Sequence, residues 1–390
     1  MGEGYAIGVP LPQTPSHFWG IRAIIAIKKE NPLMNYLSLW ETWRQAAEFS
    51  GVFAVRGPEG LRFEQCQGLR LRSEGLPCTP DTAFGVASVT KMFTGLAVCM
   101  LIEAGKLALD APICGIIPHD LGRIDRRVTV RHLLTHTSGI GDYIDEERDD
   151  AMERLQALYA RYPVYLWENL DYYLPMTADL PPKFEPGAQY SYCNSGFVLL
   201  GLCVEAASGR RYQDYVTEAV IDKLGLVRTG FYRADALPPN TAVGYFEDAS
   251  GALRSNVFSM PIIGGADGGL YTTAADLDIL WRGVFGGKLL GPDMLAQFLH
   301  PHVQRKTPGS YGLGVYRQDT PRGPVFFAVG GDFGVDCFTL YVPGLGITAS
   351  YLSNFELETG LMSGLIEGLT ENLGALPPAS AGGECPMQAF

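Results

Sequence analysis

Extended segments at both ends of this chain, with helical ones between them, constrain its fold more than any other feature. Near the start, residues 51–56 and 61–66 are extended runs around Gly57-Pro58-Glu59-Gly60, a turn that predicts a hairpin. Near the end, residues 311–317, 325–329, 335–342 and 347–353 read as strands joined by Gly/Pro turns. Between them the spacing predicts helices over 88–103, 195–208, 212–224 and 275–285. Met92, Phe93, Leu96, Ala97, Met100 and Leu101 make the first of these apolar nearly all round, so it is expected to be buried. Strand–helix alternation is absent, which points to α+β layering rather than a parallel sheet. The expected architecture is one mostly antiparallel sheet built from both chain ends, residues 34–110 and 288–375. A mainly helical lobe, 111–287, lies beside it. Residues 37–49 carry helical spacing, and a last helix is expected over 356–373 before a frayed tail, 376–390. The first 33 residues match poorly with the rest of the chain, so Met34 is the expected natural start and the segment before it an extension.

With 390 residues, 47% of them hydrophobic and 18% charged, the chain has the balance of a large globular core. Its net charge of −12 would repel phosphate backbones, which argues against nucleic acid as a partner. The eight cysteines, Cys66, Cys78, Cys99, Cys114, Cys193, Cys203, Cys337 and Cys385, lack C-x-x-C spacing and read as small apolar fillers in a reducing compartment. The apolar run of residues 20–27 contains Arg22 and precedes Lys28 and Lys29, the reverse of a signal peptide. No run approaches the roughly 18 apolar residues that span a bilayer. A cytoplasmic protein with no membrane partner and no cofactor is the expectation.

Ser88-Val89-Thr90-Lys91 opens the buried helix, and residues three apart share a helix face, so hydroxyl and amine can meet. A serine hydroxyl needs a neighbouring base to become a nucleophile. A lysine serves when burial and a helix N-terminus depress its pKa. The same residues also fit an ordinary helix start, with serine as cap; a charged lysine at the head of an apolar helix is what favours chemistry. Farther on, Pro186-Gly187 makes a turn and the stretch before the next helix can aim Tyr192 and Asn194 into a cleft. A phenol beside a lysine ammonium can pass a proton to a leaving group. A tyrosine packed at a helix start with an asparagine cap would look the same in sequence.

Ser88-Val89-Thr90-Lys91, Tyr192-Cys193-Asn194 and the stretch Val128-Thr129-Val130-Arg131-His132-Leu133-Leu134-Thr135-His136-Thr137-Ser138-Gly139-Ile140 together resemble the serine beta-lactamase-related family. That family includes class C beta-lactamases, penicillin-binding D-Ala-D-Ala carboxypeptidases, D-aminopeptidases and family VIII carboxylesterases. The likeness runs from about Gly51 to Asn354 and takes in Leu224-Gly225-Leu226 and Gly268-Gly269-Leu270-Tyr271-Thr272-Thr273. It implies the beta-lactamase/transpeptidase-like fold. It also implies acylation of Ser88, deprotonation assisted by Lys91, proton transfer by Tyr192 and contact of Asn194 with substrate or Lys91. The oxyanion would lie between the N–H groups of Ser88 and of Gly331 on a late edge strand, where the small Gly330 lets substrate approach.

The chain departs from the family on that strand. Where Lys-Thr-Gly or His-x-Gly is usual, it has Ala328-Val329-Gly330, so the cation that helps bind a carboxylate is missing. Arg317 and Arg322 are the nearby cations that sequence offers instead. The reading is therefore a serine hydrolase acting on small esters or amides. Peptidase or beta-lactamase-like activity on D-amino acid compounds stands second, and a non-catalytic binding or sensor protein is the alternative from another class. No Gly-x-Ser-x-Gly elbow is present. His132 and His136 stand four apart but lack further ligands, and they are expected to pack at a turn rather than bind metal. Gly344-Leu345-Gly346-Ile347-Thr348-Ala349 precedes a strand, not a helix, and reads as a hairpin turn rather than a dinucleotide loop. The aromatic run Tyr159, Tyr162, Tyr165, Trp167, Tyr172, Tyr173 reads equally as the roof of an acyl pocket or as lobe core.

Overall fold

The turn at Pro58-Glu59 folds β1 (Gly51–Gly57) back onto β2 (Gly60–Gln67), as the glycines around it predict. The structure, a computed structural model, describes residues 49–355 except 149, 249 and 322. The helices expected over 37–49 and 356–373, the N-terminal extension, the tail and Arg322 therefore lie outside or almost wholly outside the described residues. The second group of strands is β3 (Val303–Gln304), β4 (Ser310–Tyr311), β5 (Tyr316–Thr320), β6 (Gly323–Asp332), β7 (Val335–Val342) and β8 (Ile347–Ser353). All eight form one sheet in the order β2-β1-β8-β7-β6-β5-β4-β3. Every pairing is antiparallel, and β1 takes β8 on its free side in a register from Gly51↔Ser353 to Arg56↔Thr348. The protein is an α+β fold with a sheet contributed by early and late segments.

Alternation along the strands divides the core into two faces. Val52, Ala54, Phe326, Ala328 and Leu352 point into the larger cluster, which includes the helices. Phe53, Val55, Phe327, Val329, Phe338, Leu340 and Tyr351 fill the other face. Against the first face lies α1 (Thr90–Glu103), on which Met92, Phe93, Leu96 and Ala97 are fully buried. Met92, Phe93 and Leu96 each contribute about 1.5–3 kcal/mol of transfer free energy, and Ala97 less. The helix α1 follows directly on a 3-10 turn, Ala87–Val89, that carries Ser88.

Two expected elements differ. Residues 311–317 are not one strand: β4 and β5 are separated by a turn at Gly312–Val315 and pair with each other. Gly314 has φ +113 there, and a Cβ on it would lie 2.9 Å from the Lys91 carbonyl oxygen, so this turn exists to let α1 approach. The segment expected as a helix over 212–224 is α-helical at Tyr212–Val216 and π-helical at Thr217–Asp222. In the middle of the chain, α2 (Val130–Leu134), α3 (Ala151–Arg161), α4 (Asn194–Ser208) and α5 (Ala274–Phe285) complete the elements that place the site. Helix α4 packs on α1, which brings residues 192–194 to the head of the nucleophile helix.

Candidate active site

Backbone geometry fixes Ser88 before any side chain is considered. Ala87, just ahead of it, has φ +40, a left-handed conformation that strains an alanine. The turn is clamped: Val86 N–H donates to Leu270 O at 2.9 Å, Thr90 Oγ1 donates to Ala87 O at 2.7 Å, and Leu270 N–H donates to Thr90 Oγ1 at 3.1 Å. The segment at Gly268-Gly269-Leu270 thus holds the nucleophile turn from below. Ser88 is half-buried and opens onto a pocket.

Lys91 Nζ lies 2.9 Å from Ser88 Oγ, one helical turn on. It also donates to Asn194 Oδ1 at 2.8 Å and to the Asp267 carbonyl oxygen at 2.6 Å. Only 2% of Lys91 is exposed. Burial lowers its pKa, opposed by the charges of Asp267, Glu146 and Asp142. From the other side Tyr192 OH donates to Ser88 Oγ at 2.7 Å, and its ring centroid is 4.9 Å from Lys91 Nζ. Burial, then the charge of Glu146, push the phenol well above its ordinary range, so Tyr192 stays protonated at neutral pH. Asn194 spans the gap, its Nδ2 donating to Glu146 Oε1 at 2.9 Å. A hydroxyl flanked by a water-shielded amine and a protonated phenol is equipped for acyl transfer.

Three acids that sequence left unassigned complete this arrangement. The Asp142 carboxylate accepts the N–H groups of Asn194 at 2.8 Å and Ser195 at 2.9 Å, capping α4 from a distant loop. Burial raises its pKa to about 6. Asp267 is buried, accepts from the Tyr143 hydroxyl, and has a raised pKa for the same reason. Glu146 joins Asp267 and Asp332 in the lining of the pocket, with Tyr143, Asn194, Gly331 and Phe333. Among the described residues no arginine, lysine or histidine lines it.

A model of the beta-lactamase family matches residues 40–363. The chain belongs to that family. The solved structure of a penicillin-binding protein from Bacillus halodurans is similar, with 35% identity and a TM-score of 0.78 over 85% of this chain and 99% of that one. Esterase EstB of Burkholderia gladioli is 35% identical over 210 residues, 52% of this chain and 52% of EstB. Penicillin-binding protein 4* of Bacillus subtilis is 29% identical over 237 residues, 60% of this chain and 49% of that protein. The chain thus spans about half the length of these two curated relatives.

On the late strand, where the resemblance to the beta-lactamase family leads to an expected cation that this sequence lacks, the structure revises how the strand works. β6 is not an edge strand. Its partner β5 reaches only to Phe327, so Ala328–Asp332 project past β5 without a β5 partner on that side. Gly330 does not give substrate room: a Cβ on it would overlap the Val86 carbonyl oxygen and lie 2.9 Å from Ser88 N. Its smallness lets the strand press on the nucleophile turn. Gly331 is the open one, exposed, with nothing within 4 Å of where its Cβ would be. Arg317 does not replace the missing cation, because it pairs with Asp319 at 2.8 Å and lies over Phe326, at the far end of β6.

The remaining motifs have structural places. His132 Nδ1 accepts the Thr129 N–H at 3.2 Å in a capping box on α2, and His136 Nδ1 accepts the Cys193 N–H at 3.1 Å. Gly346, at φ +60, sits in the turn between β7 and β8. The aromatic run is divided: Trp167 and Tyr173 are buried against each other at 4.8 Å, while Tyr165 and Tyr172 face outward. Tyr173 is joined to the pocket by Tyr143, whose ring is 5.3 Å from it and lines the pocket. Cys78, Cys99, Cys193, Cys203 and Cys337 are buried free thiols. Among the described residues no helix is long and apolar enough to cross a membrane.

Proposed function

We propose that this chain is a serine hydrolase that cleaves small esters or amides through an acyl-Ser88 intermediate. The observation that carries the reading is the convergence on Ser88 Oγ of Lys91 Nζ at 2.9 Å and Tyr192 OH at 2.7 Å. Lys91, shielded from water and with a lowered pKa, takes the Ser88 proton as Oγ adds to the substrate carbonyl carbon. The developing oxyanion is held by the backbone N–H groups of Ser88 and Gly331. Tyr192, a protonated phenol, gives its proton to the departing oxygen or nitrogen and is reprotonated from Lys91. Water, deprotonated through the same pair, then releases the acyl group. Asn194 keeps Lys91 Nζ and Glu146 in register.

The lining supports a substrate class. Ala328 stands where the family's cation would, and among the described residues that line the pocket Glu146, Asp267 and Asp332 are the charged ones. That potential disfavours a carboxylate and favours neutral or amine-bearing acyl groups, such as aminoacyl esters and amides. D-Amino acid compounds of that kind remain within this class; penicillins and peptides with a free C-terminal carboxylate fit it less well.

The test is turnover by the wild type and Ser88→Ala of short nitrophenyl esters, alanyl esters and amides of both hands, a D-alanyl-D-alanine peptide and a chromogenic cephalosporin, with intact mass recorded. Ser88-dependent ester or amide turnover supports the reading. A preference for the cephalosporin or the peptide would replace it with the peptidase or lactamase reading. An adduct without turnover, or no reaction, would leave a binding protein.

A further inference from the structure

Tyr192 sits in residues 189–193, which form neither helix nor strand, so its aim at Ser88 needs an anchor from elsewhere. His136 supplies one on three sides. Its carbonyl oxygen accepts the Ser191 N–H at 2.9 Å, and its Nδ1 accepts the Cys193 N–H at 3.1 Å. Its ring packs on the Tyr192 ring at a 35° tilt, centroids 4.5 Å apart. The residues before and after Tyr192 are therefore both tied to one histidine, with the phenol packed on it between them.

The histidine is itself immobilised. It is 1% exposed, with the rings of Phe197 and Tyr311 at 5.0 and 4.7 Å. Its φ of +56 lies in the left-handed region, which histidine and asparagine enter more readily than branched or bulky residues. Because Nδ1 is an acceptor, the neutral ring carries its proton on Nε2, which is buried and has no hydrogen-bond partner among the described residues. A side chain present only to fill space would avoid that loss. What imidazole adds over an apolar ring is the Nδ1 acceptor for Cys193. Burial, and then the charge of Lys91, hold its pKa well below the ordinary value, which keeps that acceptor available.

We infer that His136 is the positioning residue that holds the Tyr192 hydroxyl on Ser88 Oγ, acting through the backbone on either side of the phenol. The inference rests on Tyr192 protonating the leaving group, as proposed above. It deepens that role, because a residue acting through Tyr192 must share its dependence on the leaving group. Nitrophenolate departs without a proton; an alkoxide does not.

The experiment compares kcat/KM, which reports the acylation step in which the leaving group departs, on a nitrophenyl ester and an alkyl ester of the same acid for wild type, His136→Asn, Tyr192→Phe and the double variant. His136→Asn tolerates the positive φ and removes the ring. The expected loss on the alkyl ester exceeds that on the nitrophenyl ester by about tenfold or more. No further loss is expected when His136→Asn is added to Tyr192→Phe. His136→Phe keeps the packed ring and removes the Nδ1 acceptor; it carries the same comparison should His136→Asn fail to fold. Equal losses on both esters, losses that add in the double variant, or failure of both variants to fold would overturn the inference and leave His136 a general packing residue. A Tyr192→Phe variant that treats the two esters alike would sink the proposed role of Tyr192 itself, an outcome visible without any His136 variant.

Discussion

Asp267 touches Lys91 twice over: its carbonyl oxygen accepts from Nζ at 2.6 Å, and its buried carboxyl, held by the Tyr143 hydroxyl, acts on the same amine by charge. Burial lowers the lysine pKa and Asp267 raises it. Lys91 must be neutral to take the serine proton, so the acid limb of kcat/KM should follow its ionisation and lie below the ordinary lysine value of 10.5. Asp267→Asn keeps the backbone acceptor and removes the charge. The lysine pKa then falls further, and the acid limb moves to lower pH. Profiles of kcat/KM against pH for the two proteins check this; superimposable limbs would refute it.

Gly330 and Gly331 should separate sharply. Gly330→Ala places a Cβ against the Val86 carbonyl oxygen, which is backbone and cannot swing aside. A loss of about 1–3 kcal/mol in urea unfolding is expected, and displacement of the nucleophile turn should lower kcat by as much as roughly a hundredfold. Gly331→Ala points into open space, so its stability should stay within about 0.5 kcal/mol of wild type. Equal destabilisation by the two substitutions would contradict the placement of β6.

The carboxylates of the pocket should be felt by a charged substrate. Asp332→Asn removes one of them without touching Ser88, Lys91 or Tyr192. The ratio of kcat/KM for an alanyl ester to that for an acetyl ester should fall about fivefold, the effect of roughly 1 kcal/mol from a single charge near 4 Å in a watery site. An unchanged ratio would remove the pocket charge from the account of specificity.

Asp142 makes stability depend on pH. Its folded pKa of about 6 stands above the ordinary 3.8, so the folded state holds that proton more tightly than the unfolded chain. The contribution is fully present below about 3.8 and is lost as pH rises through about 6, a change of about 3 kcal/mol across the window. Asp142→Asn has no such window. The difference in unfolding free energy, wild type minus variant, should therefore decline by about that amount between pH 3 and pH 7. A difference that is flat or rises with pH would show that the carboxylate is not desolvated as described.

Much of this architecture is legible in the amino-acid order alone. Residues 335–342 and 347–353 are readable as strands to the residue, because each is an apolar run rich in β-branched and aromatic side chains, cut off by turn formers. The meeting of Ser88, Lys91, Tyr192 and Asn194 is legible too, through helix spacing and family resemblance. Asp142 and Asp267 are not, since an acid in a loop looks solvated until tertiary packing desolvates it; nor is Glu146, which only the fold brings to Asn194. The break between β4 and β5 is hidden for a related reason. Apolar Tyr311, Leu313 and Val315 continue a strand pattern, and only contact with α1 shows why Gly314 interrupts it. Gly330 stands out in the sequence for its size, but its purpose is readable only with Val86 and Ser88 seen against it.

The position of β1 has a consequence for biosynthesis. It lies between β2, its immediate successor, and β8, which ends at Ser353, so its second edge stays empty until nearly the whole described chain has been translated. The turn bearing Ser88 likewise waits for Gly330 to seat against it. A ribosome-bound fragment lacking the last strands should hold the nucleophile, the amine and the phenol and yet be inert, because the surface that aligns them is made last.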